Sequence, residues 1–167
     1  MLPPQFPIRQ ERKMAGKIEA RLAELKIELP KAAAPVANYV PVVIAGKTAY
    51  TSGQVTVLNG EFKYIGKLGK EFGIEDGQQA ARLCGLNVIA QVKAALGDLD
   101  RVKRVCKLTC FVNSTSEFTD QPKVANGVSD LMVEVFGEAG KHARSAVGVN
   151  VLPLNVACEV EAIFEIE

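Results

Sequence analysis

Two ionisable side chains stand out by type and setting, Arg144 and Glu159. Both lie in the C-terminal stretch HARSAVGVNVLPLNVACEVEAIFEIE, from His142 to Glu167, where two strand-like runs flank a Leu-Pro-Leu-Asn break. In the first run Ala143, Ser145, Val147, Val149 and Val151 share one parity, and Arg144, Ala146, Gly148 and Asn150 share the other. In the second, Val156, Cys158, Val160, Ala162, Phe164 and Ile166 alternate with Ala157, Glu159, Glu161, Ile163 and Glu165. Period two of this kind marks half-buried strands. Arg144 opens the first strand and Glu159 stands near the opening of the second. An arginine at such a place can hold a carboxylate through a two-pronged fork. A nearby carboxylate can orient water and move a proton. A structural ion pair or a solvated strand face accounts for the same two residues, and both readings stand on the residues alone.

Composition narrows the chemistry. The chain has 167 residues, the length of one domain. Hydrophobic residues make up 48%, aromatics only 6%, and there is no Trp, so small aliphatic side chains must do the packing. Twenty basic residues face 19 acidic ones, a net charge of +1. Such a balance offers no surplus for a polyanion and argues against nucleic acid as partner. Cysteines stand at 84, 106, 110 and 158 beside a single histidine, with no compact zinc spacing, so buried free thiols and no metal site are expected. His142 has no sequence partner that suggests a triad, so serine or cysteine hydrolase chemistry is not expected. Gly66, Gly69 and Gly73 mark a loop without the spacing of a phosphate loop. Pro3, Pro4 and Pro7 interrupt any apolar start, and no run of 18 apolar residues exists. A cytoplasmic protein with neither signal peptide nor membrane span is the expectation.

The elements that must position these residues follow from periodicity. Residues 14–25 predict a helix with Ile18, Leu22 and Leu25 on one stripe. Pro30 ends that region, and 31–38 reads as a small-residue linker. Strands are expected over Tyr39–Ala45, Thr48–Ser52 and Val55–Leu58, and Asn59-Gly60 predicts a hairpin turn leading into Glu61–Ile65. Residues 75–96 predict the longest helix, with Ala81, Cys84, Val88, Val92 and Ala95 on its buried face and Gly97 as C-cap. Val102–Val112 reads as a strand with an irregularity where alternation weakens. A second long helix after Pro122 carries Val124, Val128, Leu131 and Val135 on one stripe. Two helices on a mixed sheet give an α+β domain with one open face.

Several motifs in this frame resemble the RidA/YjgF/UK114 family of reactive-intermediate deaminases. Ala-Arg-Ser at 143–145, Leu-Pro at 152–153 and Glu-x-Glu-Ala-Ile at 159–163 match its C-terminal signature. Thr51-Ser52-Gly53-Gln54 resembles its serine-glycine-glutamine turn. Gln79-Ala80, Leu83, Asn87 and Phe111-Val112 fall where expected. The resemblance spans residues 34–167 and leaves 1–33 as an N-terminal extension with one amphipathic helix. It implies a chorismate-mutase-like fold with two helices on one face of a mixed sheet, assembled as a homotrimer with sites between subunits. It also implies hydrolysis of 2-imino or enamino acids to 2-keto acids and ammonia, with no cofactor and no metal. By the same resemblance Arg144 would bind the substrate carboxylate and Glu159 would orient the catalytic water. Tyr39, Ser52, Gly53 and Asn126 would shape the substrate site. Ala146 replaces a frequent cysteine, and Ser129 and Met132 depart from the usual aromatic residues. The alternatives are a carboxylate-binding or regulatory trimer without turnover and an endoribonuclease or translation inhibitor.

Overall fold

A computed structural model describes residues 16–34 and 38–167 of the chain. Among the described residues three α-helices and eight strands follow in this order. Helix α1 spans Lys17–Glu24, and strands β1 to β5 span Val42–Ala45, Thr48–Thr51, Gln54–Val55, Val57–Leu58 and Glu61–Phe62. Helix α2 (Ile74–Leu96), strand β6 (Val102–Asn113), helix α3 (Gln121–Phe136) and strands β7 (Ala143–Val149) and β8 (Cys158–Ile166) complete it.

The main sheet runs β1-β2-β8-β6-β7, with β3 also paired to β8. Only β6 and β7 are parallel, because α3 carries the chain back between them. All other pairings are antiparallel, so the sheet is mixed as the pattern predicts. Strand β8 alternates as its sequence requires, with Cys158, Val160, Ala162, Phe164 and Ile166 buried under the helices. The irregularity in β6 is real: its register with β8 shifts between Val102 and Arg104 and again between Val105 and Lys107. The second shift separates Cys106 from the buried row that contains Leu108, Cys110 and Val112. Cys106 is therefore half-exposed, whereas the other three cysteines are buried.

Helices α2 and α3 cover one face. Val88, Ile89 and Val92 from α2 meet Val128 and Leu131 from α3 over Leu108, Val160 and Phe164 of the sheet. The two helices approach so closely that a Cβ on Gly127 would lie 2.0 Å from the Gln78 carbonyl oxygen. Ala95 is exposed rather than on the buried face, one turn from where α2 runs off the sheet at Gly97. The Asn59-Gly60 turn has the positive φ values, 51° and 87°, of a tight hairpin. Its strands β4 and β5 are shorter than expected and form a separate two-stranded ribbon.

The N-terminal helix docks through chemistry that periodicity does not reveal. Its first turn has no side-chain cap of its own. The Asp100 carboxylate accepts from the backbone N–H groups of Lys17 (2.7 Å) and Ile18 (2.8 Å) instead. Leu22 is buried, Ile18 packs against the core, and Leu25 is half-buried at the C-cap. Met14 lies outside the described residues. The opposite sheet face carries exposed Val43, Tyr50 and Val147.

Candidate functional site

Arg144 reaches from β7 to α3. Nη1 donates to Asn126 Oδ1 (2.9 Å) and Ser129 Oγ (3.0 Å), and Nη2 donates to the Pro122 carbonyl oxygen (3.2 Å). The local sequence makes this possible: Asn126 and Ser129 are three apart on α3 and so share a helix face. Three of the five guanidinium N–H groups are thereby engaged, and two remain for a ligand. Asn126, expected to touch substrate, holds the arginine through its amide oxygen.

Behind this pair stands a contact that the sequence reading passed over. His142 Nε2 lies 2.9 Å from Ser129 Oγ, and His142 Nδ1 lies 2.6 Å from the Gly140 carbonyl oxygen. The sequence offers His142 no triad partner; the structure adds a single side-chain contact, Ser129 on α3, with a backbone carbonyl on the other ring nitrogen. No spacing rule joins the two, since His142 lies just before β7 and Ser129 on α3.

Glu159 belongs to a second cluster. Its carboxylate lies against Gly53, where a Cβ would stand 2.0 Å from Oε1. A side chain at 53 would have to move the carboxylate from this position. Burial pushes the Glu159 carboxyl above the ordinary carboxylate range, and the charge of Glu161 adds to the shift. Ser52 fixes the neighbouring chain: its hydroxyl donates to the Val40 carbonyl oxygen (2.7 Å) and its N–H to the Pro41 carbonyl oxygen (2.9 Å). Tyr39, one residue before Val40, is exposed. Ser52, Gly53 and Glu159 are thus brought to one region, and Arg144 with Asn126 to another.

Register separates the two regions. Arg144 pairs with Leu108 on β6, and Leu108 pairs with Ala162 on β8. Leu108 and Ala162 are buried beneath the helices, which is the side Arg144 also uses. Glu159 is three positions from Ala162, an odd step that turns it to the opposite side. It is also displaced by about 10 Å along the strand and by two strand spacings of about 4.8 Å.

Two hollows of the single chain lie elsewhere. One of about 550 Å³ runs between α2 and the β4–β5 ribbon, lined by Leu58, Tyr64, Arg82 and Leu86. Another of about 580 Å³ lies between α1 and the end of α3. Neither includes Arg144 or Glu159. Among the described residues no group of three or more His, Cys, Asp or Glu side chains is placed to hold a metal ion. Burial pushes the Cys84 thiol up, and a hydrogen bond with Cys110 together with burial does the same to Cys158. These thiols are packing groups, not nucleophiles. No described helix is long and apolar enough to cross a membrane.

Comparison with known proteins gives the geometry a setting. The family model described as YjgF/chorismate_mutase-like matches residues 19–166. The chain is 51% identical over 153 residues to Protein TCP17 of Trypanosoma cruzi, covering 91% of this chain and 96% of that protein. It is similar to the crystal structure of Atu1372 from Agrobacterium tumefaciens, a protein of unknown function. That match has 48% identity and a TM-score of 0.84, over 90% of this chain and 92% of the other. E. coli TdcF with bound serine is similar at 27% identity and a TM-score of 0.60, over 84% of this chain and 97% of that one.

Proposed function

The chain belongs to the RidA/YjgF/UK114 family, with its chorismate-mutase-like α+β fold, and from that premise we propose that it hydrolyses 2-imino and enamino acids to 2-keto acids and ammonia. The observation that carries this reading is Glu159. It is a half-buried carboxylate without a cationic partner among the described residues, held above its ordinary range by burial. A carboxylate raised by burial holds a proton more readily than an ordinary one, which suits it to proton transfer.

In the proposed mechanism the two remaining N–H groups of Arg144 hold the substrate carboxylate. Asn126, Ser129 and the Pro122 carbonyl fix the guanidinium plane before substrate arrives, so little freedom is lost on binding. Glu159 accepts a proton as water oxygen bonds to the imine carbon, and the C=N electron pair moves onto nitrogen. The carbinolamine formed from the protonated imine then takes that proton onto nitrogen, its C–N bond breaks and ammonia leaves, and its hydroxyl gives up its proton to Glu159 as the C=O of the keto acid forms. Gly53 flanks the carboxylate that does this work.

Because the two clusters lie on opposite sides of the sheet, a complete site takes Arg144 from one copy and Glu159 from the next. A ring of identical chains satisfies this with one kind of head-to-tail contact. The exposed Val43, Tyr50 and Val147 supply apolar surface for it, and a homotrimer is the form this reading adopts.

Ammonia release from freshly generated 2-iminobutanoate tests the proposal. The protein should accelerate it well above the rate in buffer, and Arg144→Ala should abolish the acceleration. Equal rates with and without the protein would reject deaminase activity. The second reading, a carboxylate-binding trimer without turnover, has one observation in its favour, that E. coli TdcF was crystallised with serine bound.

A further inference from the structure

Resting on the reading of Arg144 as the carboxylate-binding group, we propose that Ser129 is a further ligand-binding residue of that site and that His142 is the positioning residue that sets the direction of its hydroxyl. Hydrogen-bond polarity carries the inference. A carbonyl oxygen only accepts, so the 2.6 Å contact with Gly140 requires a proton on His142 Nδ1. In the neutral ring Nε2 is then bare and accepts the Ser129 hydroxyl proton across 2.9 Å. Ser129 Oγ at the same time accepts from Arg144 Nη1 at 3.0 Å. In this state Ser129 has no proton to offer an anion beside Arg144.

Protonation of His142 reverses the contact. Both ring nitrogens then donate, and Nε2–H points at Ser129 Oγ. That oxygen now accepts from both His142 and Arg144, which fills its two lone pairs. Its own hydrogen must turn away from both and becomes a third donor beside the two unengaged N–H groups of Arg144. The imidazolium also brings positive charge one side chain away from the anion.

Other charges on the elements around His142 oppose or support this step. Arg144 on β7 is reached through Ser129. Lys141 and Glu138 are paired on its own connection at 2.9 Å. Asp130 and Glu134 lie on α3, Glu134 holding Arg82 at 2.8 Å. Lys107 on β6 donates to Ser145 Oγ at 2.9 Å. Arg144 alone resists the imidazolium by direct relay, and a bound carboxylate removes that resistance. Anion binding and protonation of His142 therefore favour each other, and the coupling is reciprocal.

The sign follows directly. Carboxylate affinity is greatest when His142 is protonated and falls as pH rises and the ring loses that proton. The experiment is calorimetric titration with 2-oxobutanoate at a series of pH values from acid to alkaline, for the wild type, Ser129→Ala, Ser129→Thr, Arg144→Ala and a Glu159→Gln background that removes any slope from the raised carboxyl. Loss of one charge-assisted donor should weaken binding about tenfold from the acid to the alkaline end. Ser129→Ala should flatten the slope and Ser129→Thr should restore it. The chain has one histidine, so its imidazole nitrogen resonances are unambiguous. They should report the Nδ1–H tautomer in the free protein and a titration midpoint that rises on saturation with 2-oxobutanoate.

An Nε2–H tautomer, an unmoved midpoint, or a slope that survives Ser129→Ala overturns the proposal. If binding is lost in Arg144→Ala while the slope survives Ser129→Ala, only the role of Ser129 and His142 falls. If 2-oxobutanoate binds wild type and Arg144→Ala equally, the carboxylate site itself falls with it.

Discussion

Arg144 and Glu159 stand on opposite sides of one sheet. Arg144 is level with Ala162 through Leu108 and turns under the helices, whereas Glu159 is three residues away and turns to the open side. No side-chain rotation brings them together within a chain, because the sheet lies between them.

A complementation experiment follows. Arg144→Ala and Glu159→Gln homo-oligomers should each be inactive. Mixed after dissociation, they should regain about a quarter of wild-type activity, since one adjacent pairing in four joins an intact arginine to an intact glutamate in a closed head-to-tail ring. Light scattering of the wild type should give three times the chain mass. A monodisperse monomer, or no recovery on mixing, would defeat the shared-site proposal.

The anchoring of Arg144 separates charge from geometry. Arg144→Lys keeps the charge but loses the fork and at least two of the three contacts to α3, and kcat/KM should fall about ten- to hundredfold, the worth of one or two charge-assisted hydrogen bonds. Asn126→Ala removes one of those contacts without touching the guanidinium and should cost on the order of tenfold. Steady-state kinetics on both variants, with melting curves as control, checks the order. An Asn126→Ala defect larger than that of Arg144→Lys would mean that Asn126 acts on substrate directly.

Much of the fold is legible in the sequence because burial imposes period two on β8 and 3.6 on α3, where Val124, Val128, Leu131 and Val135 are all buried. What escapes is what periodicity does not encode. The bulge before Lys107 moves Cys106 out of the row that holds Cys110, although four residues separate them. Arg144 and Glu159 are legible as isolated charges at strand openings. Their opposition is not, since it depends on which residues pair across β6. The Ser129–His142 contact joins residues 13 apart through a helix end and a turn, and neither residue type announces the other.

Helix α1 should depend on Asp100. Asp100→Ala strips the cap from the N–H groups of Lys17 and Ile18 and should cost about 1 kcal/mol, the usual worth of an N-cap. Deleting residues 1–28 also exposes the surface that Leu22 and Ile18 cover and should cost a few kcal/mol at most. Denaturant melts of both variants test the order. A deletion no more harmful than Asp100→Ala would mean that the apolar contacts of α1 contribute little.

Glu159 should show a conflict between function and stability. Its carboxyl is raised in the folded chain, first by burial and then by Glu161. Between the ordinary carboxylate pKa and the raised one, the folded state holds a proton that the unfolded state has released. Stability therefore falls as pH rises through that window. Above it Glu159 is ionised in both states and the full cost of the buried charge is felt; below the ordinary carboxylate value it is protonated in both and the cost is absent. Glu159→Gln removes the charge while keeping the shape. It should raise the melting temperature at neutral pH, and the gain should shrink to nothing as pH falls below about 4, near the unperturbed carboxylate value. Gly53→Ala tests the same locus from the other side. Its Cβ would meet Oε1 at 2.0 Å and must displace the carboxylate toward solvent, lowering activity while leaving Glu159 in the sequence. Thermal melts from pH 3.5 to 8 on the wild type and Glu159→Gln, with ammonia release on Gly53→Ala, check both. A Glu159→Gln protein less stable than wild type at neutral pH would show that the carboxylate is held by favourable contacts, and its role as a strained proton acceptor would have to be abandoned.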